Sequence, residues 1–157
     1  MAQTTVYRAS LEQVEQAFAM VAEYYEAVQV VVREDREAFR EQYFAEGAGV
    51  WLAASDGEIV GCVALRRLSG RNESAEIKRM YVRQAHRGKG IADLLMKELE
   101  DYARDCGYAW LYLDTAAVMV AAARFYERNG FEHCERYNDN PQAAIFMRKR
   151  LERRRHQ

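Results

Sequence analysis

The most constraining feature of the sequence is a junction between an apolar strand and a glycine-rich helix start in the middle of the chain. Residues 75–82, A-E-I-K-R-M-Y-V, are predicted as a β-strand, and a basic loop, R-Q-A-H-R-G-K-G, follows at 83–90. Apolar side chains then recur at helical spacing, which predicts a helix over 88–106. A further apolar run at 109–114 predicts the next strand. This order of elements is typical of a β-α-β unit in an α/β domain.

The alternation of apolar and polar residues fails within the first of these strands, between Lys78 and Met80. One inserted residue is what a β-bulge produces, and a bulge bends a strand and frees a backbone donor for another partner. From periodicity alone, a side chain of Arg79 or Tyr81 that reaches toward solvent explains the pattern equally well. The sequence therefore leaves both explanations open.

The glycine loop has the properties of an anion site. Gly88 and Gly90 precede the helix, so successive backbone N–H groups can point outward at the positive end of the helix dipole. Arg83, Arg87 and Lys89 add positive charge around them. The pattern favours phosphate binding, and an ordinary glycine-rich turn is the structural alternative.

Two common phosphate-binding motifs fit this loop poorly. The Walker sequence G-x-x-x-x-G-K-[ST] is absent. A dinucleotide-binding motif needs a third glycine at the position that Asp93 occupies here. In that motif the glycines also follow the strand directly, whereas residues 83–87 separate Gly88 from the strand in this chain. Nucleoside triphosphate hydrolysis and dinucleotide binding are therefore disfavoured.

The rest of the chain completes one predicted domain, because 157 residues with 50% apolar content can bury one sizeable core. We expect that domain to cover 1–157, with a core at about 6–151 and a short basic tail at 152–157. The other predicted helices cover 10–25, 35–44 and 118–129, and the other predicted strands cover 50–54, 59–65, 131–137 and 143–150.

Charge and cysteine content exclude several classes of function. The 23 Lys and Arg residues nearly balance the 24 Asp and Glu residues, so no global field attracts nucleic acid or an anionic membrane. Cys62, Cys106 and Cys134 are widely spaced among apolar residues, which favours reduced core thiols over disulfides or a metal site. No apolar segment has the length of a signal peptide or a membrane span. We therefore expect a soluble, cytoplasmic protein without a metal.

Two segments resemble a known family. The strand E-I-K-R-M-Y-V runs into R-x-x-G-x-A, formed by Arg87, Gly90 and Ala92, and resembles the acetyl-CoA signature of the GNAT superfamily of N-acyltransferases. Residues 122–131, A-A-R-F-Y-E-R-N-G-F, resemble that family's A-x-x-x-Y-x-x-x-G-F segment. The resemblance implies an α/β fold with a mixed, mostly antiparallel central sheet, splayed between two parallel strands and flanked by about four helices. It also implies a possible homodimer.

The resemblance implies acetyl-CoA as a co-substrate. Its pantetheine arm would lie between the strands at 75–82 and 109–114, and its pyrophosphate would lie at the helix start. The implied cofactor-binding residues are Met80, Tyr81, Val82, Arg87, Gly88, Lys89, Gly90, Ile91, Ala92 and Tyr126.

The implied reaction is direct attack of a primary amine of a small molecule on the acetyl thioester in a ternary complex. An alkylamine with a pKa near ~10 needs a base to remove a proton, and the departing thiolate benefits from a proton donor. Tyr126 matches the family's tyrosine in the donor role, and a core aromatic beside Phe125 is the alternative. Glu76 is the first choice of base, with a solvated strand carboxylate as its alternative, and Asp114 is the second. His86 is expected beside the phosphates instead.

Acceptor recognition is expected from the first two helices and the last hairpin. The loop at 136–142, R-Y-N-D-N-P-Q, has a Y-x-x-N-P segment comparable to that of some small-molecule members, which favours an amino acid or related metabolite, although it is also an ordinary turn. The candidate substrate residues are Tyr24, Tyr25, Asp114, Tyr137, Asn138 and Asn140.

Met119 stands where many relatives carry an asparagine, so a side-chain hydrogen bond is expected to be missing at the start of the last helix. Two other functions remain open from the sequence. One is a catalytically inactive acyl-CoA-binding sensor or interaction module. The other is an acetyltransferase of a protein or peptide amine.

Overall fold

The computed structural model describes residues 3–31, 33–116 and 119–152. It contains seven strands and four α-helices within those ranges, and two short 3-10 turns at Leu11–Gln13 and Gln84–His86. The elements in chain order are β1 (Thr4–Arg8), α1 (Val14–Val28), α2 (Arg36–Tyr43), β2 (Gly49–Ser55), β3 (Glu58–Arg67), β4 (Ser74–Val82), α3 (Ile91–Asp105), β5 (Trp110–Thr115), α4 (Val120–Arg128), β6 (Glu132–His133) and β7 (Ile145–Arg150).

The seven strands form one sheet in the order β1-β2-β3-β4-β5-β7-β6. Every neighbouring pair is antiparallel except β4 and β5, which are parallel and are joined through α3. The parallel pairing covers only Ser74 to Glu76 of β4 and Trp110 to Tyr112 of β5. Beyond these residues the two strands are no longer paired, which confirms the splay predicted from the sequence.

A β-bulge interrupts the pairing of β3 with β4. Arg79 and Met80 lie opposite the single residue Val63 of β3. Arg79 has a φ of 60°, in the left-handed region that residues other than glycine seldom occupy. The thiol of the buried Cys62 donates to the carbonyl of Arg79 at 3.2 Å. The broken alternation in the sequence is therefore a bulge.

Helices cover both faces of the sheet, because successive side chains of a strand point to opposite faces. On one face α1 and α2 pack against β2 and β3 through residues that include Val21, Phe39 and Tyr43. On the other face α3 packs through Leu95 and Leu99. These two apolar layers hold the splayed edges of β4 and β5 in place between them.

The structure corrects several predicted boundaries. β1 was not predicted, because this strand has only five residues and pairs only with β2, at the edge of the sheet. The predicted strand at 131–137 is reduced to Glu132–His133, since Arg136 donates to the carbonyls of its own loop, including that of Ala143 at 3.1 Å. Cys106 is exposed after the end of α3 and is not a core thiol.

In the part of the chain that the structure describes, no helix has the length and apolar character to span a membrane. No group of His, Cys, Asp or Glu there is arranged to hold a metal ion.

Candidate functional site

A cavity of about 870 Å³ opens where β4 and β5 separate. Its walls are formed by α1, β4, the loop and first turn of α3, the end of β5, α4 and the loop before β7. It therefore brings together three parts of the chain that the sequence pattern marked separately: the glycine loop, the bulged strand and the tyrosine-bearing helix.

One end of the cavity is the amino end of α3. Gly88 and Gly90 have φ values of 78° and 79°, and a Cβ built on either would meet no atom within 4 Å. The first helical hydrogen bond runs from the amide of Leu94 to the carbonyl of Gly90. Among residues 3–31, 33–116 and 119–152, nothing accepts a hydrogen bond from the amides of Gly88 and Lys89. This end is an open cradle of backbone donors, which suits a pyrophosphate.

The basic residues of the loop differ in what they contact. Arg87 Nε donates to the carbonyl of Val82 at 2.8 Å, so its side chain fixes the loop to the end of β4. Lys89 is exposed and does not line the cavity. His86 lines the cavity, and its buried Nδ1 has no partner in the described chain.

Along the middle of the cavity runs the edge of β4 after its pairing with β5 has ended. Met80, Tyr81 and Val82 line this part. An unpaired strand edge can accept an extended ligand as an additional strand. The position suits the amide groups of a pantetheine arm.

Tyr126 of α4 lies at the centre of the cavity wall. It is 6% exposed, and its ring packs between those of Phe125 and Phe131, at centroid distances of 5.3 and 5.6 Å. Burial raises the pKa of Tyr126, and the nearby Tyr24 and Asp114 raise it further. Its hydroxyl makes no hydrogen bond to the residues that the structure describes. Tyr126 is thus a buried, protonated donor that faces the cavity.

Tyr24 and Asp114 complete the wall around Tyr126, and both line the cavity. Burial raises the pKa of Tyr24. The carboxylate of Asp114 accepts from Asn138 Nδ2 at 2.5 Å and from Asn140 Nδ2 at 3.4 Å. The loop before β7 therefore holds the Asp114 side chain in place.

Glu76 has a different environment from the one expected of a base. Its side chain is 1% exposed and does not line the cavity. Its Oε1 pairs with Arg66 at 2.9 Å, and its Oε2 accepts from the Tyr137 hydroxyl at 2.7 Å and from Asn138 at 3.1 Å. Both oxygens are occupied by protein donors, and the buried side chain is not the solvated strand carboxylate of the structural alternative.

Several other predicted substrate residues lie behind the cavity wall. Tyr25 is 3% exposed, and its hydroxyl donates to Glu34. The pKa of Tyr25 is raised to about 12, chiefly by burial and secondly by the hydrogen bond to Glu34. Tyr137 and Asn138 are bound to Glu76, and burial raises the pKa of Tyr137. These three residues support the wall, whereas Asn140 lines the cavity as predicted.

Sequence reasoning missed an ionic cluster in the cavity wall. The lining residues that belong to it are Arg33, Glu34, Arg66, Lys78 and Arg79. Burial pushes the pKa of Glu34 upward, but the charge of Arg79 and the hydrogen bond from Tyr25 outweigh burial and leave the pKa below its ordinary value. The available signal was the pair of consecutive cations, Lys78 and Arg79, inside an otherwise apolar strand.

Met119 lines the cavity at the start of α4, and no side chain caps that helix.

Comparisons with known proteins agree with this geometry. A family model described as "Acetyltransferase (GNAT) family" matches residues 14–131. An uncharacterized N-acetyltransferase of Schizosaccharomyces pombe is 38% identical over 103 residues, which are 64% of this chain and 63% of that protein. Human N-acetylaspartate synthetase is 41% identical over 95 residues, which are 59% of this chain and 31% of that protein. The chain thus spans less than two thirds of the length of these relatives.

The fold is also found among solved structures. An acetyltransferase of the GNAT family from Staphylococcus aureus has a TM-score of 0.82 and 20% identity, and the match covers 96% of this chain and 100% of that one. A TM-score of this size over nearly the whole of both chains shows that the two share a fold. The chain therefore belongs to the acetyltransferase (GNAT) family.

Proposed function

We propose that the protein transfers an acetyl group from acetyl-CoA to the primary amine of a small molecule, by direct attack in a ternary complex. The observation that carries this proposal is that one cavity joins the amide cradle of α3, the unpaired edge of β4 and the buried hydroxyl of Tyr126. Membership of the GNAT family supports acetyl-CoA as the acyl donor.

The described residues fit acetyl-CoA along the length of the cavity. The amides of residues 88–92 would hold the pyrophosphate, since this helix end is open and positively polarised. The backbone of Met80 and Val82 would hold the pantetheine arm at the unpaired strand edge. The bound donor supplies an activated acetyl group, and the protein supplies its orientation and the exclusion of water.

Tyr126 is the proposed proton donor to the departing thiolate. Because burial raises the pKa of its hydroxyl, the group stays protonated at neutral pH and can donate a hydrogen bond to the sulfur as negative charge develops on it. The packing of its ring by Phe125 and Phe131 fixes the direction of the hydroxyl.

We assign removal of the amine proton to Asp114, directly or through water. Asp114 lines the cavity and is close enough to Tyr126 for its charge to raise the tyrosine pKa. Glu76 instead acts as a positioning residue, because it holds Tyr137 and Asn138 and so fixes the loop that carries Asn140. This assignment reverses the order of preference derived from the sequence.

The contacts of the loop before β7 support a small molecule as acceptor. The loop before β7 reaches the end of α1, where Gln142 accepts from the amide of Val31 at 3.0 Å and donates to the carbonyl of Gln29 at 3.3 Å. This bridge joins two parts of the cavity wall, which supports a small acceptor over a polypeptide. The similarity to human N-acetylaspartate synthetase further supports an amino acid or related metabolite as acceptor.

An amine panel tests the proposal. Acetyl-CoA is mixed with the protein and one amine at a time, drawn from amino acids, polyamines, aminoglycosides and peptide amino termini, and released CoA is followed with a thiol reagent. We expect release that depends on both the protein and a small amine. Binding of acetyl-CoA without release for any amine would favour an acyl-CoA-binding module, and release with peptides alone would favour a peptide acetyltransferase.

A further inference from the structure

Two consecutive cations line the cavity. Neighbouring residues of a regular strand point to opposite faces of the sheet, yet Lys78 and Arg79 both line the same space. The bulge and the φ of 60° at Arg79 account for this, because they turn the strand between the two side chains. The wall of the cavity therefore carries two consecutive cations of β4.

Lys78 retains unused hydrogen-bond donors. Its side chain is 9% exposed, and its Nζ lies 3.7 Å from Glu76 and 3.6 Å from Asp114. Both distances exceed those of a hydrogen bond, and an ammonium has three donors. In the described ranges no acceptor lies at hydrogen-bonding distance from Nζ.

Arg79 also retains an unused donor. Its Nη2 donates to Glu34 at 2.8 Å, whereas its buried Nε has no partner in the part of the chain that the structure describes. The rings of Tyr24 and Tyr25 lie 6.0 and 5.0 Å from the guanidinium and keep it in position. A buried donor without a partner is costly, which points to a group that the site is built to receive.

Two neighbouring arginines of the ionic cluster, Arg66 and Arg33, bond through every guanidinium nitrogen. Arg66 uses all three nitrogens, on Glu76 and Gln42. Arg33 likewise uses all three, on Glu26 and on the carbonyls of Val30 and Tyr25. Among the described cations of this cluster, Lys78 and Arg79 are therefore the two with a side-chain nitrogen that has no hydrogen-bond partner.

We propose that Lys78 and Arg79 bind a carboxylate of the acetyl acceptor. This inference rests on the proposed function, and it narrows the acceptor to an amine that also carries a carboxylic acid. A polyamine or a simple alkylamine has no acceptor for the unpartnered donors of Lys78 and Arg79, whereas a carboxylate can accept from both. Asp114, 3.6 Å from Lys78, would then face the amine of the same molecule.

A binding measurement tests the site without turnover. CoA-loaded protein is titrated calorimetrically with succinate, a carboxylate without an amine, and with butylamine. We expect succinate to bind more tightly than butylamine, because only succinate offers a carboxylate to Lys78 and Arg79. Lys78→Met, which keeps the apolar stem, should weaken succinate binding by about ten- to hundredfold, the loss expected for one charge-assisted hydrogen bond. The control is Lys97→Met on α3, where the lysine is 67% exposed and lies outside the cavity.

A kinetic measurement compares acceptors that differ by one carboxylate, such as L-alanine and ethylamine. Lys78→Met should raise KM for L-alanine about tenfold or more and leave KM for ethylamine and for acetyl-CoA unchanged. If Lys78→Met does not fold, Arg79→Gly replaces it, since glycine accepts a φ of 60° and removes the guanidinium.

Several results would overturn the inference: no binding of succinate to the wild-type protein, binding that Lys78→Met leaves intact, or equal losses for L-alanine and ethylamine. Absence of turnover with every amine would instead refute the proposed function. In that case the succinate titration still decides whether the carboxylate site exists.

Discussion

Glu76→Gln separates two roles for the buried carboxylate of β4. If Glu76 positions the loop before β7, the substitution should destabilise the protein and change kcat only modestly. If Glu76 is the base, the substitution should abolish most of the rate and leave stability nearly unchanged. The contacts of the side chain favour the first outcome, since both oxygens are occupied by protein donors.

The magnitude follows from those contacts. Breaking a buried ion pair such as that of Glu76 with Arg66 costs about 3–5 kcal/mol. Glutamine keeps the shape and one acceptor oxygen, so part of the hydrogen bonding to Tyr137 or Asn138 survives. We therefore expect a loss of about 2–4 kcal/mol in the free energy of unfolding, because one hydrogen bond to a charged group is worth roughly 1.5–3 kcal/mol. At ~2–4 °C for each kcal/mol, Tm should fall by roughly 10 °C.

The assay combines thermal unfolding with steady-state kinetics at a temperature where the variant is folded. We expect kcat within about tenfold of wild type and a raised KM for the acceptor, because Asn138 also holds Asp114. The control is Glu98→Gln, an exposed position on α3. An unchanged Tm together with a fall in kcat of about 10²-fold or more, the size expected for loss of a general base, would refute this reasoning.

Three further predictions concern the donor, the cradle and pH. Tyr126→Phe should lower kcat by about 10²-fold or more with little change in acetyl-CoA affinity, measured by titration, and an unchanged kcat would remove Tyr126 as proton donor. Gly90→Glu should abolish acetyl-CoA binding in a protein that still folds. The control is Gly70→Glu, at a similar φ of 80° and with equally open surroundings, which should bind acetyl-CoA normally. Unchanged acetyl-CoA affinity in Gly90→Glu would show that the amides at the start of α3 do not hold the pyrophosphate. Because the pKa of Tyr25 is raised to about 12, its stabilising contribution is complete below its ordinary pKa of about 10 and is lost as pH rises toward 12. Denaturant midpoints should therefore fall over that window, and Tyr25→Phe should flatten the decline.

The sequence predicts the parts of the site that depend on local pattern. Apolar spacing and two glycines identify α3 and its amino end, and the broken alternation near Arg79 identifies the bulge. The splay of β4 from β5 and the placement of Tyr126 on α4 follow from the family resemblance, which rests on short local motifs.

Other parts depend on contacts between residues that are distant in the chain. The pairing of Glu76 with Arg66 requires the register of β3 on β4, and its bond to Tyr137 crosses 61 positions of sequence. The loop at 134–144 has no hydrophobic period, so its path across the site depends on bonds such as those of Arg136 and Gln142. The local sequence pattern reports neither the strand register nor the path of this loop. The sequence therefore leaves Glu76 accessible, whereas the structure buries its carboxylate in an ion pair with Arg66.

The most direct test of the account follows a labelled acetyl group. Acetyl-CoA carrying a labelled acetyl carbon is incubated with the protein and the best small amine of the panel, and the label is located by mass spectrometry. We expect the label on the amine nitrogen of the small molecule, with many moles of labelled product for each mole of protein. We expect no label attached to the protein. Label that stays on acetyl-CoA, or that accumulates on a protein side chain, would contradict it.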